Sequence, residues 1–214
     1  MRYIFILLFL LSCSSPGVDK GYLEENYSKE DLRFFVQVGF YNQRKVLKWE
    51  EDIHVSFVGS PNTGDVELVD SIIQELRPLL APLTIERTDK DGNLKIKLVE
   101  KAKKGLATHH TVFAPFYSFS QSEIELPVSL KSTLRQATLR HEFLHALGLH
   151  HPTEKGTGTI IESSVEYASI DDALNSNAKI YRYSNLDKRM VKLLYDKNIR
   201  VGLERSTFAK LLEK

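Results

Sequence analysis

An α+β domain built on a small mixed sheet is the fold class this sequence predicts, and three observations carry it. Ile53–Val58 alternates apolar and polar side chains, the period of a half-buried strand. Residues 65–80 then repeat apolar positions at helical spacing. From residue 132 onward helix-type segments dominate, so strands and helices are partly segregated along the chain. The 214 residues, 42% hydrophobic and 27% charged, suit one compact domain with its own core. A formal charge of +1, with no extended basic patch, argues against a nucleic-acid partner.

Taken in order, residues 14–29 are polar and rich in Ser, Gly, Asp and Glu, the composition of a flexible tether. Residues 31–38 fit a short helix or a strand, because Leu32, Phe34, Phe35 and Val38 satisfy either period. Trp49 precedes the first strand, and residues 59–64, with Pro61 and Asn62, form a turn. The helix over 65–80 aligns Val66, Val69, Ile72, Ile73, Leu76 and Leu80, with Asp65 near its start and Pro82 past its end. Residues 83–87 and 94–99 read as two strands joined by a turn in which Asp91-Gly92 is a hairpin signal. A long loop over 102–120 holds His109, His110, Phe113, Phe116, Tyr117 and Phe119. A short strand at 122–126 stops at Pro127; it is read either as an edge along which an extended peptide pairs or as an edge blunted by Glu123 and Glu125. Helices follow at Ser132–Leu147 and at 185–195, and a last one is capped by Ser206.

The first residues break this globular pattern. Arg2 precedes an unbroken apolar run over 4–11, too short to span a bilayer and suited to a secretory signal. The run ends Leu10-Leu11-Ser12-Cys13, which resembles the lipobox of bacterial lipoproteins, and Cys13 is the only cysteine. The resemblance implies export, lipidation of Cys13 and attachment to the cell envelope, with Ser14 favouring the outer membrane. Acyl chains contribute about 0.8 kcal/mol per buried methylene, so several chains hold a protein stably. The expected segments are a signal peptide over 1–12, a lipidated N-terminus and tether over 13–30, and one domain over 31–214, expected to be monomeric.

The chemistry concentrates in His141-Glu142-Phe143-Leu144-His145-Ala146-Leu147-Gly148-Leu149-His150-His151-Pro152. At 3.6 residues per turn His141 and His145 stand one above the other, the spacing at which two imidazoles reach one zinc ion. Glu142 is rotated around the helix, so it need not ligate and can face a zinc-bound water instead. Gly148 tolerates the positive φ that turns the chain back under the metal. His150 and His151 compete for the third ligand position, and the spacing favours His151. Leu139, Phe143 and Leu147 supply an ordinary apolar back face, which explains the helix but not the histidines opposite.

The stretch satisfies H-E-x-x-H-x-x-G-x-x-H and resembles the metzincin clan of zinc endopeptidases, locally the serralysins and matrixins. That resemblance implies a zincin domain with a small twisted mixed sheet, an active-site helix and a C-terminal helix. It implies Zn2+ on His141, His145 and His151, and peptide or protein substrates. Hydrolysis would follow from Glu142-assisted attack of the zinc-bound water. Ser163-Ser164-Val165-Glu166-Tyr167 stands where the clan carries a methionine turn, with Val165 in place of the methionine. Tyr167 matches a tyrosine that stabilises the oxyanion in two of the families, or is a tyrosine packed at a turn. Ser184-Asn185-Leu186-Asp187 resembles the start of the C-terminal helix. The rivals are an inactive, zinc-stabilised binding lipoprotein and a metallohydrolase acting on cell-wall peptide.

Overall fold

The computed structural model describes residues 18–101, 107–113, 117–130, 132–153, 157–162 and 180–213. It has an α+β architecture around one five-stranded mixed sheet. The N-terminal helices are α1 (Lys20–Asn26) and α2 (Lys29–Val38), the latter capped by Ser28, whose hydroxyl accepts from Asp31 N. Strand β1 (Ile53–Val58) leads into α3 (Thr63–Leu76), then β2 (Ile85–Arg87) and β3 (Leu94–Val99). The edge strand β4 (Thr108–Phe113), β5 (Phe119–Pro127) and α4 (Ser132–Leu147) follow, and α5 (Asn185–Leu194) and α6 (Arg205–Leu212) close the chain.

The strand order is β2-β1-β3-β5-β4, parallel throughout except for β4, which runs antiparallel to β5. α3 is the crossover between the parallel neighbours β1 and β2, and it packs on β2. An Asn62–Asp65 capping box starts α3, and a short 3-10 turn, Arg77–Leu79, carries Pro78 at its end. α4 packs across β4 and β5, while α2 packs against α5 and α6. Two ion pairs tie α4 to α3: Arg135 to Asp65 at 2.7 Å and Arg140 to Glu75 at 2.7 Å. The core is continuous, with Trp49, Phe35, Phe40, Phe143 and Phe208 among its largest fully buried side chains. Phe35 meets Phe40 and Phe208 edge-on at 5.5 and 5.4 Å, which docks α6 on α2.

Four expectations need correction. The stretch read as tether is folded from residue 18 on, because Leu23 of α1 is 2% exposed and sits in the core. β2 and β3 are not a hairpin; they lie on opposite sides of β1. Asp91, at φ 56°, and Gly92 carry the chain past β1 instead of reversing it. Gly92 lies so close to the His54 carbonyl that a Cβ would overlap it, and its N–H donates to Ser56 Oγ at 3.1 Å. Residues 122–126 belong to β5, an internal strand, so they are no edge. The edge on that side of the sheet is β4, within the segment read as a loop, and it holds His109 and His110. The last helix begins two residues earlier than expected, with Glu204 in the cap position and Ser206 inside.

Candidate metal centre

The site grows from the last two turns of α4. His141 is 9% and Glu142 8% exposed, and the apolar residues behind them, Leu139, Phe143 and Leu147, are at most 1% exposed. The helix stops at Gly148, whose φ of +108° excludes a side chain on steric grounds. A Cβ there would also overlap the Leu47 carbonyl, so both requirements meet at one residue. Two carbonyls of the last turn are met from distant parts of the chain. Trp49 Nε1 donates to Ala146 O at 2.8 Å, and Tyr195 Oη donates to Leu147 O at 3.0 Å. Leu149 N then bonds Leu144 O and His150 N bonds Val38 O, which swings His151 back toward the helix.

Three imidazoles converge as a result. His145 Nε2 lies 3.0 Å from His141 Nε2 and 3.1 Å from His151 Nε2, and ligand atoms of all three fall within 4.8 Å of one another. Their outer nitrogens fix the tautomers. His141 Nδ1 bonds Ile160 O at 2.8 Å and His145 Nδ1 bonds Leu149 O at 2.8 Å. The Ile161 backbone likewise accepts a hydrogen bond from the His151 imidazole. A carbonyl can only accept, so the protons of His141 and His145 sit on Nδ1 and their Nε2 lone pairs face inward. Lone pairs at this separation repel each other unless a cation lies among them. Tetrahedral zinc holds nitrogens at ~2.0 Å, which sets them roughly 3.3 Å apart, close to the two separations from His145 Nε2. The residues therefore fit a zinc ion, and the group could bind one.

Burial prepares these groups for that role. It pushes the pKa of His141 down to about 4 and that of His145 well below its ordinary value, and it lowers His151 as well. All three are neutral at pH 7, as ligands must be. Burial has the opposite effect on the carboxyl of Glu142, raising its pKa to about 7, where it takes and returns a proton near neutrality.

His151 rather than His150 joins the cluster. The His150 ring lies 6.5 Å from that of His145, tilts toward Tyr41, and its Nε2 is buried with no partner among the described residues. His109, expected in a loop, reaches the site from β4: its ring lies 6.3 Å from His145 and nearly parallel to it. Its Nε2 is shared by Ser122 Oγ at 2.8 Å and Thr111 Oγ1 at 2.6 Å. Cys13, Val165 and Tyr167 lie outside the described residues. The turn whose carbonyls orient His141 and His151 is formed by Ile160–Ile161, ahead of the stretch from Ser163 to Tyr167 where a supporting turn was expected. Sequence reading missed Ile160, Ile161 and Asp187 as supports of the site, and Trp49 and Tyr195 as supports of the end of α4. Only Asp187 had a local signal, the Ser-x-x-Asp of a helix start.

No protein-family model and no curated protein matches this sequence. Among solved structures, one titled "Structure of Myroilysin" is 15% identical, covers 70% of this chain and 82% of its own, and has a TM-score of 0.42. A crystal structure of myroilysin is 18% identical, covers 49% of this chain and 46% of its own, and has a TM-score of 0.32.

Proposed function

We propose that this chain is a zinc-dependent endopeptidase of the metzincin type. One observation carries the reading: three neutral imidazoles aim their free lone pairs at a common point, beside a buried glutamate whose pKa is raised to about 7. A structural zinc site would be closed by a fourth protein ligand, whereas the three histidines, the metal-ligating group among the described residues, leave a position open for water. A site kept only for stability also has no use for an acid–base group held near neutrality.

When bound, zinc acidifies a water molecule and polarises a carbonyl. Glu142 accepts the proton that the water loses as its oxygen bonds to the scissile carbon. It then passes that proton to the departing amine as the carbon–nitrogen bond breaks. Ile160 and Leu149 keep the imidazoles of His141 and His145 in one tautomer throughout, so among these residues the proton is carried by Glu142. β4, last in the strand order and carrying His109, replaces residues 122–126 as the strand that this reading pairs with an extended peptide. Tyr167 is kept as a candidate oxyanion donor on resemblance alone.

Attachment to the envelope through a lipid on Cys13 belongs to the same proposal and rests on the apolar run and lipobox. Among the described residues no helix is long and apolar enough to cross a membrane. The mass of the N-terminal peptide, wild type beside Cys13→Ser, tests that part.

The central test is the zinc content of the purified chain, wild type beside His151→Ala, by elemental mass spectrometry. Near-stoichiometric zinc that falls in the variant is expected, and a peptide library would then report cleavage. A folded wild type without zinc would overturn the reading. Cleavage of purified peptidoglycan but of no peptide in the library would point to a cell-wall substrate.

A further inference from the structure

We infer that Asp187 is a positioning residue for the metal site, acting on His141 through the peptide group that joins Ile160 to Ile161. The inference rests on the zinc reading above and extends it to a residue of α5.

Asp187 is 1% exposed and sits in the first turn of α5. Helix capping accounts for part of its bonding: Oδ2 accepts from Ser184 N at 2.8 Å and from Ser184 Oγ at 2.7 Å. It does not account for the rest. Oδ2 also accepts from Ile160 N at 3.1 Å, and Oδ1 accepts from Ile161 N at 3.4 Å, across 27 and 26 residues of sequence. Ile160 and Ile161 are both 0% exposed, so no water replaces the carboxylate at those N–H groups.

The N–H of Ile161 and the carbonyl of Ile160 belong to one planar peptide group. Asp187 holds its N–H end and His141 Nδ1 holds its C=O end at 2.8 Å. A carboxylate at one end of a peptide polarises it, so the carbonyl at the other end becomes a stronger acceptor. The His141 proton is thereby fixed on Nδ1 and the ring is oriented, with its Nε2 lone pair made more basic toward the metal. His151 is affected less directly, because its carbonyl lies on the next peptide, the one joining Ile161 to Glu162, whose N–H goes to Thr159 Oγ1 at 3.3 Å. His145 is outside this chain of contacts; its Nδ1 is held by Leu149 O. Asp187 is thus predicted to act on His141 most, His151 less and His145 not at all.

The test uses the full chain as wild type, Asp187→Asn and Ser184→Ala. Asparagine keeps the shape but has one accepting oxygen, so it cannot serve Ser184 N and both isoleucine N–H groups. Ser184→Ala removes the cap hydroxyl and leaves both isoleucine bonds in place. Zinc affinity is read by competition with a chromophoric chelator, and the imidazole Nδ1–H resonances are read by NMR. Asp187→Asn is expected to weaken zinc binding by about 10–100-fold, the usual effect of losing an outer-shell partner. It is also expected to shift the His141 Nδ1–H resonance and speed its exchange, leaving that of His145 unmoved. Ser184→Ala is expected to lower stability with less than about tenfold change in zinc affinity. If Asp187→Asn does not fold, Asp187→Glu takes its place: glutamate still caps at this position but moves its oxygens by one methylene. Wild-type zinc affinity in the aspartate variant, an unmoved His141 resonance, or equal losses in the aspartate and serine variants would overturn the inference. A wild type that binds no zinc would overturn the proposed function itself, and this inference with it.

Discussion

On one side of α4, Leu139, Phe143 and Leu147 are almost wholly removed from water; on the other, His141 and Glu142 are nearly as deeply placed and His145 is half-buried. Burial does opposite things on the two sides. For Phe143 it is the driving force of folding, with roughly 1.5–3 kcal/mol gained per buried large apolar side chain. For the histidines and the glutamate it disfavours the charged forms, lowering the first two and raising the third. The back face holds the helix in place, and that excess lets the front face keep groups that would ionise in water. A stable scaffold and a chemically strained site are thus one helix seen from two directions.

The largest expected effect comes from crossing the two faces. Glu142→Gln should lower kcat/KM on a cleaved peptide by about 10²–10⁴-fold while zinc content and thermal midpoint stay at or above wild type. Phe143→Ala should cost about 3–5 kcal/mol of stability in denaturant unfolding. Such zinc-loaded Phe143→Ala protein as remains folded should keep most of its specific activity. Equal losses of stability from the two variants would erase the distinction between the faces.

The front face was legible in the sequence because it is local. His141 and His145 share one helix, and Gly148 and His151 follow within the next turn, so spacing alone aligned them. The same holds for the helices whose apolar period is strong, such as α3. What failed was non-local. β4 was hidden because the residues it turns toward α4, His109 and Thr111, are polar and satisfied by Ser122 on the neighbouring strand, which erases the apolar alternation that marks a strand. Asp91-Gly92 signals a turn correctly, yet a dipeptide cannot say whether the chain reverses beside its own strand or passes across another. Asp187 supports a histidine 46 positions away through a third segment, and no period in the sequence encodes that.

A smaller effect follows from pH and sharpens the same contrast. Burial first, and the neighbouring histidines next, push His109 down to about 4, and burial does the same to His150. Both folded values lie below the ordinary 6.5, so the folded state binds fewer protons than the unfolded chain between those limits. Their contribution is therefore complete above pH 6.5 and is lost as pH falls through 4. Each group accounts for at most about 3 kcal/mol over that window, and the zinc ligands shift in the same direction. His109→Gln should flatten the decline of unfolding free energy between pH 7 and pH 4 by about that amount. An unchanged slope would mean that His109 titrates as an exposed histidine and that β4 does not shield it.

The smallest effect lies where the two faces meet, at the end of α4. Tyr195 Oη donates to Leu147 O, and both groups are buried. Tyr195→Phe keeps the ring and removes two hydrogen bonds, the one donated to Leu147 O and the longer one accepted from Trp49 N at 3.5 Å, leaving buried backbone groups unmatched, which costs about 1–3 kcal/mol. The metal site should barely register the change. His145 is oriented by Leu149 O, and Leu149 is held in turn by its own bond to Leu144 O, neither of which passes through Tyr195. Unfolding free energy should therefore fall while zinc affinity stays within about tenfold of wild type, less than an outer-shell loss produces. If zinc affinity fell further and stability did not, Leu147 would belong with the ligands instead of the core, and the boundary between scaffold and site would have to move one turn back along the helix.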